Sequence, residues 1–223
     1  MNDAPAGRFR RYAPSATMRG SCLAENCSAG APATQCMNSS EAETLKSYPS
    51  DLEERVEHHG HALILRPIRP DDSPQHRRFL AQITPQDLYH RFFAGVRQLP
   101  ESELAHFTHI DYDREMAFIA ESPQSGDILG VARACADQAR VSAEFAVLIR
   151  SDLQRQGLGT LLMQKLIQYG RNHGLRELWG YVMTDNVPML QLARSLGFHV
   201  RRTERNVDEI TLDLQPTRPV EAS

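Results

Sequence analysis

The stretch from Glu144 to Tyr169 constrains the fold most, because it joins an apolar strand, a glycine-spaced loop and an amphipathic helix without interruption. The loop, residues 154–159, reads QRQGLG, and apolar residues follow it at helical spacing. The first N–H groups of a helix form an anion site, and glycines allow a phosphate to approach the backbone. With acidic Glu144 in the preceding strand, the stretch predicts an enzyme that uses a phosphorylated cofactor.

Length and composition limit the classes of protein to which the chain can belong. The 223 residues, 41% hydrophobic and 24% charged, are typical of a soluble globular protein. A formal charge of −3, without a large cluster of lysine and arginine, argues against a nucleic-acid binder. No apolar run approaches the ~20 residues of a membrane span, and the N-terminus lacks the apolar core of a secretory signal. We therefore expect a cytoplasmic protein with no membrane partner.

The pattern changes near Tyr48 and again near Pro216. Residues 1–47 are rich in Ala, Ser, Pro, Gly and Asn without apolar periodicity, which predicts a disordered tail. Residues 48–216 carry regular apolar patterns and suit a single domain. Residues 217–223 are predicted to form a short C-terminal tail.

Cysteine and histidine positions do not match a metal site. Three of the four cysteines lie in the predicted tail, and Cys135 sits in an apolar strand pattern. Histidines bunch at 58–61 beside a strand start and recur at 106 and 109, without an apparent third ligand. We therefore predict no metal.

Strand and helix signals alternate irregularly within the domain. Strands are predicted at residues 61–66, 116–121, 128–136, 141–149, 178–183, 198–201 and 210–214. Helices are predicted from residues 72, 84, 100, 158 and 188, most of them with capping residues or proline at the start. Three consecutive strands form an antiparallel meander. The order predicts a mixed α/β (α+β) sheet and not a repeated Rossmann pattern.

The QRQGLG loop lacks the Gly-Lys-Ser/Thr ending of a Walker A motif and does not fit GxGxxG. A tight strand-to-helix connection is the alternative reading. Gln154, Gly157 and Gly159 nevertheless resemble the signature of the GNAT superfamily of N-acyltransferases. Downstream, Asp185-Asn186 and LQLARSLGF are similar to a later helix of that family. Upstream, LEERV, LRPIRPDD, LYHRFF and IDYDREMA resemble the acetyltransferase domain of bacterial Pat-type protein lysine acetyltransferases, so the likeness covers about residues 48–215.

The resemblance implies a GNAT fold, in which a central, twisted, mostly antiparallel sheet of about seven strands is flanked by helices. It also implies acetyl-CoA as co-substrate. The pantetheine arm would pair with the backbone of Val147, Leu148 and Ile149. The loop and helix start would hold the pyrophosphate, and the implied residues are Gln154, Arg155, Gln156, Gly157, Leu158, Gly159 and Thr160. Asn186 would contact the cofactor from the end of the next strand.

Glu144 is the candidate general base. Apolar neighbours at positions 143, 145 and 147 would desolvate the carboxylate and raise its pKa. A surface ion pair is the alternative role, and Asp152 is the weaker candidate base. Where many family members carry a tyrosine that protonates the thiolate, this chain has Ala193, so the general acid is unassigned. Ser195 could serve, although a thiolate is weakly basic and needs no dedicated acid.

The acceptor implied by the Pat resemblance is a protein lysine, with acyl-CoA synthetases among the targets of that family. A small amine, such as a polyamine, amino acid or antibiotic, is the second hypothesis. Extra carboxylates in an acceptor pocket would favour the small amine, and an open groove would favour protein. A catalytically silent acyl-CoA sensor is the third hypothesis. The sequence does not indicate the oligomeric state.

Overall fold

The computed structural model describes residues 47–93, 101–204 and 206–215. Most of the predicted N-terminal tail and all of the C-terminal tail lie outside these ranges, so the domain boundaries stay predictions. The strands are β1 (Glu54–His58), β2 (His61–Pro67), β3 (Glu115–Glu121), β4 (Ile128–Ala136), β5 (Ser142–Ile149), β6 (Glu177–Met183), β7 (His199–Glu204) and β8 (Val207–Asp213). The helices are α1 (Ser73–Leu80), α2 (Pro85–Phe92), α3 (Glu101–His106), α4 (Leu158–Asn172) and α5 (Val187–Ser195).

The strands form one sheet in the order β1-β2-β3-β4-β5-β6-β8-β7. Every neighbouring pair is antiparallel except β5 and β6, which are parallel. The mixed α/β prediction and the antiparallel meander are confirmed. The sheet has eight strands where about seven were expected, because the sequence reading missed β1. That strand is mostly exposed and carries charged residues, so it lacks the apolar signal of a buried strand.

The two faces of the sheet are covered by different helices. Helix α4 packs on β3 and β4. Helix α1, which precedes β3 in the chain, packs on β4. As a result the middle of β3, from Met116 to Ala120, is almost completely buried. This continuous apolar run is typical of a strand that is covered on both faces.

Proline and capping residues begin the helices where the sequence predicts. Thr84 accepts a hydrogen bond from the Asp87 N–H at the start of α2, and Asn186 does the same for Met189 at the start of α5. Proline follows each cap at the first helical turns. In the described part of the chain, no helix combines the length and apolar character needed to cross a membrane.

Candidate active site

The parallel strands β5 and β6 pair only at their beginnings. Three residue pairs join them, and the last is Glu144 with Trp179, whereas β5 stays paired with β4 as far as Ile149. Beyond Glu144, the edge of β5 that faces β6 therefore has no strand partner among the described residues. Backbone groups at such an edge can pair with an extended ligand, as in strand addition. Val147, Leu148 and Ile149, the predicted pantetheine partners, lie on this separated part.

Glu144 occupies the point at which the two strands separate. Its side chain is half-buried, and burial raises the pKa of the carboxyl above its usual range, while the nearby Arg91 guanidinium opposes that rise. Because side chains alternate along a strand, Glu144 shares a face with Ala146 and Leu148. A carboxylate with a raised pKa beside an open strand edge is suited to accept a proton.

The glycine loop leads from β5 into α4 with an unusual backbone. Arg155 has φ 61° and Gly157 has φ 82°, so two of three consecutive residues are in the left-handed region. Gly157 stands at the N-cap position of α4, and no side chain caps this end of the helix. The N–H groups of Leu158, Gly159 and Thr160 precede the first bond of the helix, from Leu161 N–H to the Gly157 carbonyl. They are available to an anion.

Gly159 also has a packing role at the start of α4. A Cβ there would lie 3.3 Å from the side chain of Leu192 on α5 and 3.6 Å from that of Ile149. The missing side chain therefore lets α5 and the end of β5 pack against the first turn of α4.

Helix α2 contacts the segments that follow both separated strands. Its Asp87 accepts a hydrogen bond from the Ser151 hydroxyl, in the turn after β5. At its other end, His90 lies 3.3 Å from Asp185, in the turn after β6. Helix α2 thus spans the opening between β5 and β6, on the side to which Glu144 points.

The model of the acetyltransferase (GNAT) family matches residues 84–198, which hold the split strands, the glycine loop and Glu144. The chain belongs to the GNAT acetyltransferase family. This confirms the family assignment made from the QRQGLG loop and shows the chain to be a family acetyltransferase. One structure with the same fold, yncA from Salmonella typhimurium with its cofactor acetyl-CoA, superposes with a TM-score of 0.56 at 19% identity, over 72% of this chain and 99% of that chain.

Relatives with known names are themselves acetyltransferases. The acetyltransferase PA5475 of Pseudomonas aeruginosa is 31% identical over 143 residues, which are 62% of this chain and 76% of the relative. The acetyltransferase Pat of Mycolicibacterium smegmatis is 26% identical over 162 residues, 72% of this chain. The chain spans about half (48%) of the length of that protein. The crystal structure of the GNAT domain of S. lividans PAT superposes with a TM-score of 0.70 at 25% identity, over 75% of this chain and 99% of that domain.

A cavity opens on the Glu144 face of this GNAT sheet. It is small and partly open to solvent, and it lies between β4, β5, α1 and α2. Its polar lining consists of Arg91, Arg133 and His76, and its apolar lining includes Phe79 and Leu148. The described lining contains no carboxylate, the feature expected of an acceptor pocket for a small amine.

The cavity is cationic and contains an unused hydrogen-bonding atom. Burial lowers the pKa of Arg91 to about 10, and Arg133 adds to this effect, so Arg91 stays charged at neutral pH. Arg133 bonds to Glu115 at 3.0 Å and to the Phe107 carbonyl. Burial lowers the pKa of His76 to about 4, which keeps its ring neutral, and its Nδ1 has no partner among the described residues. The sequence reading missed these side chains, because they come together only when α1 and α2 pack on the sheet.

Asn186, the position of the family tyrosine and Ser195 lie in or beside α5. Asn186 caps α5 through its Oδ1, which leaves its NH₂ group for a ligand. Ala193, at the position of the family tyrosine, is fully buried. The Ser195 hydroxyl donates to the Leu192 carbonyl at 2.8 Å. Among the described residues, no group of three or more His, Cys, Asp or Glu could hold a metal ion.

Proposed function

We propose that the protein transfers an acetyl group from acetyl-CoA to an amine, with Glu144 as the general base. The observation that carries this proposal is the position of the half-buried Glu144 at the point where β5 and β6 separate. In this proposal, bound acetyl-CoA would contact the free edge of β5 and the uncapped glycine loop, with its acetyl group near the Glu144 carboxylate.

The residues present fit a CoA thioester. The edge of β5 from Val147 to Ile149 would pair with the amide groups of pantetheine. The N–H groups of residues 155–160, together with Gln154, would hold the pyrophosphate. Acetyl-CoA supplies the acetyl group in activated form, as a thioester. Asn186 would add a side-chain contact at the far end of the opening.

Glu144 would remove a proton from the acceptor amine, either directly or through a water molecule. Its raised pKa narrows the gap to the pKa of an ammonium group and eases this transfer. Backbone N–H groups near Val147 would polarise the thioester carbonyl. The amine nitrogen forms the new C–N bond as the C–S bond breaks, and CoA leaves as a weakly basic thiolate. Ala193 cannot protonate this thiolate, and the Ser195 hydroxyl is engaged, so no side-chain acid is assigned.

The acceptor that we favour is a lysine side chain of a protein. The similarity to Pat and to the GNAT domain of S. lividans PAT supports this choice, together with the Pat-like strings of the sequence. An acyl-CoA synthetase is one candidate target by the same resemblance.

A small amine that also carries a carboxylate, such as an amino acid, is the second candidate. The observation in its favour is the cavity with Arg91, Arg133 and the unpartnered Nδ1 of His76 beside Glu144. Guanidinium groups are suited to bind a carboxylate, whereas they would repel a polyamine. The same cavity could instead take an acidic side chain next to a target lysine.

Acetyl-CoA turnover on a panel of acceptors tests these alternatives. The panel contains lysine peptides with and without a neighbouring acidic residue, free amino acids and polyamines, each measured with the full chain and with residues 1–47 deleted. Turnover confined to the peptides supports the lysine proposal. Turnover confined to amino acids supports the second candidate. Tight CoA binding without turnover on any acceptor would favour the silent sensor and overturn the enzymatic proposal.

A further inference from the structure

The β1–β2 hairpin reaches across to the glycine loop. The Nε2 atoms of His58 and His59 lie 2.7 Å and 2.9 Å from the carbonyl oxygen of Gln156. The two rings contact each other edge to face, with centroids 4.4 Å apart. The His58 ring also covers Gly157, since a Cβ at that glycine would lie 3.3 Å from His58 Cε1. The ion pair between Lys165 of α4 and Glu54 of β1, at 2.9 Å, holds the hairpin along the same helix.

The chemistry of the groups defines the direction of both hydrogen bonds. A carbonyl oxygen has no proton and two lone pairs, so it can accept twice but never donate. Both histidines must therefore carry a proton on Nε2 and donate it to Gln156. The hairpin thus supplies two donors to a single backbone acceptor.

Fixing this carbonyl also fixes the N–H group that follows it. The described residues contain no cis peptide bond, so the Gln156 carbonyl and the Gly157 N–H point in opposite directions within the plane of their peptide group. With the oxygen held towards the hairpin, the Gly157 N–H points away from it. Gly157 directly precedes the uncapped N–H groups of α4.

We propose that His58 and His59 are positioning residues that hold the Gln156–Gly157 peptide in the orientation that binds the pyrophosphate of CoA. This inference rests on the proposed function. Neither imidazole needs to touch the cofactor, because each acts through the peptide plane. Arg155 has a positive φ, which a non-glycine residue keeps only where surrounding contacts hold it, and the hairpin provides such a contact at the next residue.

A contact that served stability alone would have a different signature. It would weaken the whole fold and reduce the use of every acyl donor to the same extent. A positioning role concerns only the phosphate-bearing part of the donor. Acetyl-pantetheine, which lacks the pyrophosphate, separates the two roles.

The experiment compares the wild type with His58→Ala, His59→Ala and the double variant in the full chain. The exposed His61 on the same hairpin provides the matched control, His61→Ala. Calorimetry measures the Kd for CoA, and kinetics give KM and kcat for acetyl-CoA and acetyl-pantetheine. We expect the double variant to weaken CoA binding roughly tenfold, the effect of two lost hydrogen bonds, at nearly constant kcat. His58→Gln and His59→Gln, which retain a donor, should recover part of the loss.

The kinetics with acetyl-pantetheine should not differ between the wild type and the double variant. Equal losses of kcat/KM with acetyl-CoA and with acetyl-pantetheine would overturn the inference. So would a double variant that binds CoA as tightly as the wild type does. If the wild type itself fails to bind CoA, the proposed function falls first, and this inference falls with it.

Discussion

Two opposing influences act on the carboxylate of Glu144. Partial burial disfavours the charged form and raises its pKa, and the positive charge of Arg91 favours the charged form. Burial is the stronger of the two, so the net shift is upward. A base works only when it is deprotonated, so activity should fall as the pH drops through this raised pKa.

Replacing Arg91 with methionine should move the acidic limb of the pH profile of kcat/KM to higher pH. The variant removes the charge that stabilises ionised Glu144, so a larger fraction of the base is protonated at a given pH. The measurement is kcat/KM for acetyl transfer across the acid range. Arg78→Met is the control, because Arg78 is exposed and its ion-pair partner is Asp127, at 3.8 Å, and not Glu144. An acidic limb at the same pH in Arg91→Met and wild type would show that Arg91 does not act on Glu144.

At the scale of elements, α2 holds the turn after β5 in place. The Asp87 carboxylate receives hydrogen bonds from the hydroxyl groups of Ser151 and Thr84. Ser151 in turn accepts a bond from the Thr84 N–H at 2.9 Å. Burial acts to raise the pKa of Asp87, but the bonds from Ser151, Thr84 and Gln154 outweigh it, so the pKa lies below its usual range. The helix start and the signature glutamine therefore share one carboxylate.

Asp87→Asn should destabilise the fold by about 1–2 kcal/mol, because the hydroxyl donors lose a charged acceptor. A carboxyl group with a lowered pKa in the folded state stabilises above its unfolded pKa, and this contribution is lost as the pH falls through the folded pKa. In urea unfolding, the difference in unfolding free energy between Asp87→Asn and the wild type should stay constant from pH 7 to pH 5. It should shrink only below about pH 4. Asp152→Asn, at an exposed carboxylate beside the same loop, is the control. A difference that already shrinks between pH 7 and pH 5 would contradict this account.

The local elements were largely predictable from the sequence, and the contacts between them were not. Caps and prolines such as Thr84-Pro85 mark helix starts, and the loop motif together with Glu144 gave the candidate site. The split between β5 and β6 depends on where a parallel pair stops pairing, which no local pattern encodes. The same holds for His58, which meets a residue 98 positions later, and for the cavity around His76.

At the scale of the whole molecule, a buried ion network joins the first part of the domain to the centre of the sheet. Arg66 of β2 bonds to Asp72 before α1 and to Glu121 of β3, with N–O distances of 2.6 Å to each. Arg66 and Asp72 are almost fully buried. Asp72 also accepts the Arg69 N–H at 2.7 Å. The network thus anchors the α1–α2 segment, which covers the Glu144 face, to the sheet.

Arg66→Met should cost about 3–5 kcal/mol of unfolding free energy, because it leaves two carboxylates without their buried cation. Urea unfolding measures this loss. Arg78→Met, which removes an exposed partner of Asp127, should cost less than about 1 kcal/mol. Equal effects of the two substitutions would show that the network contributes no more than a surface pair.

The central claim, that this GNAT protein transfers acetyl groups through Glu144, is tested most directly by measuring turnover and CoA affinity of Glu144→Gln side by side. Glutamine keeps the size of the side chain but cannot accept the proton. The account predicts that kcat falls by about 10²–10⁴-fold while the Kd for CoA is unchanged. Turnover close to that of the wild type, with CoA binding intact, would contradict it.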